Sequence, residues 1–278
     1  MNNLMAFLRT ALSLSVSAVI VPLAFANNHT DTQSWQELFN GKDLSDWTVK
    51  ITGQPFGEDK RQTFRVEDGL LKVRYDNYEE FANQFGHLFF QRPFSRYELL
   101  VEYRFVGNQL QGGPTWAKRN SGVMLHAQDP ATMTVGQDFP HSIEAQLLGG
   151  LSDNKQRPTG NVCTPGTDIM LAERMAKQHC SYSSSDTFNG DQWVQIHIVV
   201  DGHGAIEHRI NNDVVMVYHS PRLTADAANA LDRPELALKQ GYIALQSESH
   251  AIDFRRVALR PMDSVSYTHL RAHETERN

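Results

Sequence analysis

The sequence predicts an all-β, antiparallel sandwich, on three observations. Short segments along the chain alternate apolar and polar side chains with period two. Asn-Gly, Asp-Gly and Asn-Asn pairs punctuate those segments, and only Leu223 to Leu238 has room for a short helix. Period-two segments bounded by turn residues pair as antiparallel strands, one face on a core and the other polar.

The chain opens with Arg9 as its one positive charge, an apolar run from Ala11 to Val21, and Ala24-Phe25-Ala26. That order is the pattern of a signal peptide over residues 1–26, and the run is short for a membrane span. An uncleaved anchor is the alternative. The expected product is secreted or periplasmic and begins near Asn27. No linker or repeat divides the rest of the chain, so residues 27–262 read as a single domain.

Ser34 to Phe39 leads into the Asn40-Gly41 turn, with Leu44 and Trp47 as anchors of an opening strand. Phe64-Arg65-Val66 and Leu70 to Val73 flank Glu67-Asp68-Gly69 as a hairpin. Asn77 to Gln84 is a loop and His87 to Phe90 a short strand. In Tyr97 to Val106, Leu99, Val101, Tyr103 and Phe105 point inward. Gly107 to Lys118 is a loop, and a strand starts at Asn120-Ser121-Gly122. The strand at 139–148 precedes a long aperiodic stretch, Gly149 to Gly190, of the kind that is usually functional or a lid. Trp193 to Val200, Ala205 to Ile210 and Val214 to Tyr218 are strands joined by turns at Asp201-Gly202 and Asn211-Asn212-Asp213. Strands at 241–248 and 252–259 close the domain. Residues 263–278 have no core face or turn signal and read as translated adapter sequence or an ordinary tail.

Without residues 1–26 the chain keeps 25 basic side chains against 32 acidic ones. This acidic balance argues against nucleic acid, whose phosphates call for a basic footprint. Cys163 and Cys180 are the only cysteines. In an oxidising compartment they default to a disulfide, with buried free thiols as the alternative.

Two strands carry more polar chemistry than solubility needs. In Ile143-Glu144-Ala145-Gln146-Leu147 the apolar residues share one face, and Glu144 with Gln146 shares the other. In Tyr242 to Glu248, Ile243 and Leu245 point one way while Gln246 and Glu248 point the opposite way. If the strands lie in one sheet, two carboxylates and two amides pool into a single patch.

Set in order, these pieces resemble the 3-keto-disaccharide hydrolase domain family. The matching segments are Leu38 to Leu44 with Trp47, Asn120-Ser121-Gly122, Ile143 to Gln146, Gly190-Asp191-Gln192-Trp193, Gly241 to Gln246, and Phe254-Arg255. The resemblance implies a jelly-roll sandwich of the concanavalin A-like lectin and glucanase type. It also implies a small carbohydrate substrate, a sugar whose C3 hydroxyl has become a ketone. His126-Ala127-Gln128 stands where members often carry an Arg.

Such a ketone acidifies the C2 hydrogen, so a base can remove it, the C1 substituent can leave, and water can add back. The route needs a base, donors for the enolate oxygen, and an acid for the leaving oxygen. Glu144 is the expected base and Glu248 or His126 the acid. Asn120, Gln146 and Gln246 are expected to bind substrate, as is Arg255. Against these stand plainer roles: a solvated sheet face for Glu144 and Gln146, a loop carboxylate for Glu248, a packed histidine for His126, and a carboxylate brace for Arg255. Trp116 and Tyr242 are candidates to stack on a sugar ring. The alternative function is a non-catalytic carbohydrate-binding module of the same fold. No Glu-x-Asp-x-x-Glu strand occurs, which lowers the case for classical glucanase activity. No compact calcium-type loop of Asp, Asn and Glu occurs, although Asp153 with Asn154 and Asp186 with Asp191 could contribute oxygens, so no metal is expected. Nor is there a Gly-x-Ser-x-Gly elbow, phosphate loop or dinucleotide fingerprint, and no cofactor is expected.

Overall fold

The structure, a computed structural model, describes residues 34–262. The expected leader at 1–26 and the tail at 263–278 lie outside the described residues. Within them the regular secondary structure is almost entirely strand. In order, the strands are β1 Gln36–Glu37, β2 Trp47–Ile51, β3 Phe64–Glu67, β4 Leu70–Val73, β5 Gly86–Phe90, β6 Arg96–Gln109, β7 Asn120–Ala127 and β8 Ile143–Leu148. They continue as β9 Asn161–Cys163, β10 Thr167–Leu171, β11 Arg174–Met175, β12 Cys180–Ser181, β13 Val194–Asp201, β14 Ala205–Ile210, β15 Asp213–Leu223, β16 Tyr242–Ser247 and β17 His250–Pro261. The expected helix is α1, Ala225–Ala230, whose first turn is capped by the Thr224 hydroxyl accepting from the Ala227 amide.

All pairings are antiparallel and form two sheets. The larger runs β11-β10-β15-β14-β13-β6-β17-β4-β3, with β1 on the free side of β17; the smaller runs β12-β9-β8-β7-β16-β5-β2. The inward alternation of β6 holds, with Leu99, Val101, Tyr103 and Phe105 all buried, and Ile196, Ile198 and Val200 of β13 join them. Facing them from the smaller sheet are Ile143, Ala145, Leu147, Ile243 and Leu245, so both inner faces build one core. The Asp68-Gly69 hairpin has positive φ at both central residues, 56° and 74°, the geometry that matches strand twist and that Gly tolerates best.

The stretch after β8 is more regular than its sequence suggests. It contributes β9 and β12 to the edge of the smaller sheet, and Cys163 pairs with Cys180 across that ladder. The two are disulfide-bonded, as expected.

Candidate functional site

The polar patch lies on the outer face of the smaller sheet. Glu144 stands opposite Met124 and Gln146 opposite Gly122, while Ala244 of β16 faces Met124 from the far side. Gly122 has a specific job here. A Cβ at that position would sit 2.6 Å from the Glu144 Oε1 and 2.7 Å from its Cγ, so the Glu144 carboxyl lies flat across the glycine. Any side chain at position 122 would compete for this space.

Above the floor is a cavity of about 930 Å³ that Asn120, Glu144, Gln146 and Glu248 all line. One wall is aromatic. Trp116 stacks on Phe85 at 5.9 Å between centroids and 8° between planes, and Phe139 packs on Phe85 at 4.9 Å. The other wall carries the disulfide and Tyr182. Trp116 and Tyr182 are 53% and 73% exposed, so the rim presents two aromatic faces to solvent. Polar floor and aromatic rim together suit a sugar, which offers hydroxyls on its edge and C–H groups on its faces.

Glu144 and Glu248 are both buried. Burial penalises the charged form and pushes the Glu144 carboxyl up to about 8. Glu248 is driven well above the carboxylate range, first by burial and then by the charge of Glu144, with the Arg157 guanidinium opposing. Two such carboxyls do not ionise independently: at neutral pH Glu248 keeps its proton, and Glu144 is ionised in the smaller fraction of molecules, a fraction that grows as pH rises toward 8. The hairpin end that carries Glu248 is fixed by its neighbour: Ser249 has φ of 80°, its amide donates to the Tyr75 hydroxyl, and its own hydroxyl accepts from Gln109 Nε2.

Two residues that the aperiodic stretch concealed complete the site. Asn161 donates from Nδ2 to Gln146 Oε1 at 2.9 Å while its Oδ1 accepts from the Ser183 amide, which leaves the Gln146 amide nitrogen out of that bond. Arg157 donates to the carbonyls of Lys118, Arg119 and Gly149, tying the start of β7 to the end of β8 beside Glu248. No spacing signal marked either residue; both lie where the chain lacks periodicity.

The remaining expected residues divide. Asn120 donates weakly to the Trp116 carbonyl at 3.4 Å, and its buried Oδ1 has no partner. Gln246 is on the floor but fully buried beside the cavity, and neither amide atom has a partner. His126 and Arg255 require correction, because the structure takes both away from the cavity. His126 has φ of 49° where the β7–β16 register slips, and this bulge turns its ring to the Gly202 carbonyl at 2.8 Å. Burial lowers its pKa to about 4, so the ring is neutral. Arg255 belongs to β17 in the larger sheet, where it pairs with Glu102 and stacks over Trp193 at 4.6 Å. It braces a carboxylate, the plainer of the roles weighed for it. Tyr242 packs with Phe89, Met124, Ala127 and Met133 and is not in the cavity wall.

Among the described residues no group of three or more His, Cys, Asp or Glu side chains is placed to hold a metal ion. No described helix is long and apolar enough to cross a membrane.

Residues 34–260 match the family model described as the 3-keto-alpha-glucoside-1,2-lyase-like domain. Two crystal structures of Parabacteroides distasonis ATCC 8503 proteins, both provisionally designated glycosyl hydrolases, share the fold. One is 17% identical with a TM-score of 0.52, covering 84% of this chain and 96% of that one. The other is 16% identical with a TM-score of 0.50, covering 82% and 100%. No curated protein sequence matches the chain.

Proposed function

Because the chain belongs to the 3-keto-alpha-glucoside-1,2-lyase-like family, a carbohydrate-related group, we propose that it cleaves 3-keto-glycosides by elimination followed by hydration. The observation that carries this reading is the pair of buried carboxyls, Glu144 and Glu248, that line one sugar-sized cavity and raise each other's proton affinity.

In the first half-reaction Glu144, as carboxylate, takes the proton from C2. The electron pair moves into the C2–C3 bond, and charge grows on the former ketone oxygen, where the amide N–H group of Gln146 at the cavity surface stabilises it. The enolate then expels the C1 oxygen, which receives the proton held by Glu248. The products are an alcohol, or the second sugar, and an enone with a C1=C2 double bond. Glu144 is now protonated and Glu248 ionised beside Arg157, so the roles reverse for hydration. Glu248 takes a proton from water as its oxygen bonds C1, and Glu144 returns a proton to C2. The net result is hydrolysis, and both groups are restored.

Export is part of the proposal, supported by the pattern of residues 1–26 and by the Cys163–Cys180 disulfide. The second reading, a binding module, draws on the exposed rings of Trp116 and Tyr182, which would hold a sugar with no chemistry at all. Purified protein tested on methyl 3-keto-α-D-glucoside separates the two. The enzyme releases methanol, and Glu144→Gln loses on the order of 10³ in rate while remaining folded. Binding without release by wild type would leave only the module.

A further inference from the structure

Beyond the cavity, the polar row on the smaller sheet continues. The ladder pairs Gln246 with His87, and His87 in turn with Lys50. Opposed residues in an antiparallel pair share a face, so all three stand on the face that carries Glu144. Gln246 and His87 are fully buried, and none of their four polar side-chain atoms has a partner. Adjacent buried groups left unpaired in this way are rare in folded proteins and call for a ligand or ordered water. Lys50 is different, since its ammonium already donates to the carbonyls of Ile51 and Val135.

One ring touches both this row and the cavity. Phe139 lines the cavity, is only half-buried, and meets the His87 ring edge-on at 5.9 Å. Its backbone is pinned, because its carbonyl accepts from Gln137 Nε2 at 2.8 Å. A swing of the ring would break its contacts with Phe85 and His87 while leaving that backbone bond in place.

We propose that Gln246 and His87 form a recessed site for the oxidised end of the sugar, reached when the Phe139 ring swings aside. The inference rests on the reaction proposed above. Glu144 over Gly122, Gln246 and His87 occupy adjacent strands in the order in which C2, C3 and C4 follow one another round a pyranose. With C2 against Glu144, Gln246 donates to the C3 oxygen and His87 meets the C4 hydroxyl. Burial and the nearby Lys50 charge keep the imidazole neutral, its pKa lowered to about 3, so it offers one donor and one acceptor to an uncharged hydroxyl.

The test uses Glu144→Gln to stop turnover, methyl 3-keto-α-D-glucoside as probe, and its 4-deoxy analogue. Adding His87→Leu is expected to weaken binding of the first about tenfold and of the second by less than about twofold. The ring ¹⁵N signals of His87 in the single variant should shift on binding, a readout that needs no change at His87 and survives a misfolded double variant. Equal losses for both sugars, or unmoved ring signals while calorimetry shows binding, would overturn the site and mean that water alone fills it. Failure of wild type and variant alike to bind either sugar would instead sink the proposed reaction, and this site with it.

Discussion

Gly122→Ala isolates the placement of one carboxyl from everything else in the fold. Gly122 has no left-handed φ, so its backbone accepts a methyl group without strain. The three nearest atoms to that methyl all belong to the Glu144 side chain, at 2.6, 2.7 and 2.9 Å. Ordinary contact between such atoms lies at about 3.5 Å, so the carboxyl must retreat by roughly 1 Å. A flexible side chain does this cheaply, at about 1 kcal/mol, which in a domain of this size lowers Tm by roughly 2–4 °C. The same displacement of a catalytic group is worth about 10² in rate. Thermal unfolding and kcat/KM on methyl 3-keto-α-D-glucoside, measured on one preparation, give both numbers. A variant with wild-type kcat/KM would refute the reasoning, because it would show that the position of Glu144 over the glycine does not matter. Wholesale unfolding would do so as well, by making Gly122 a packing residue.

The same geometry leads to three further outcomes. Glu144 binds its proton more tightly folded, at about 8, than at its ordinary value of 4.5, so its contribution to stability is full below the ordinary value and lost as pH rises through about 8. Wild-type Tm should therefore fall between about pH 5 and 8 by roughly 10 °C more than that of Glu144→Gln, and parallel curves would contradict the buried-carboxyl picture. Cys163 and Cys180, 17 residues apart, close a loop whose constraint is worth about 3 kcal/mol in the chain-entropy model. Because the bond also forms part of the cavity wall, reduction should lower Tm and raise KM together, and a change in Tm alone would detach the bond from the site. Arg255→Ala removes an ion pair and a Trp193 contact on the larger sheet, so kcat/KM should stay within about twofold while Tm drops slightly. A large loss of activity would return Arg255 to the site.

How much of the site was legible in the sequence depended on periodicity. Glu144 and Gln146 were readable because alternation in β8 is unbroken and an apolar face on a core forces its polar face outward; Glu248, one residue past the end of β16, keeps the same alternation as Gln246. His126 failed for a reason no alternation rule contains. Counting from Gly122 puts it on the site face, but the bulge at φ of 49° rotates it off that face, and Gly241 makes room for the displaced backbone, since a Cβ there would come within 2.3–2.6 Å of it. Arg255 sits at a similar register slip in β17, between Phe254 and Arg256. Arg157 and Asn161 were invisible because they lie in the aperiodic stretch, where tertiary hydrogen bonds decide direction. His87 was readable as a strand residue, but its partnership with Gln246 depends on which strands are neighbours, a fact of topology.

The central claim is that Glu144 removes the C2 proton of an oxidised sugar while Glu248 supplies the leaving group with another. Incubating methyl 3-keto-α-D-glucoside with enzyme in deuterium oxide and following C2 by NMR tests it most directly. Wild type is expected to place deuterium at C2 in the released sugar, Glu248→Gln to exchange C2 while releasing little methanol, and Glu144→Gln to do neither. Methanol release with the original hydrogen retained at C2 would contradict the claim.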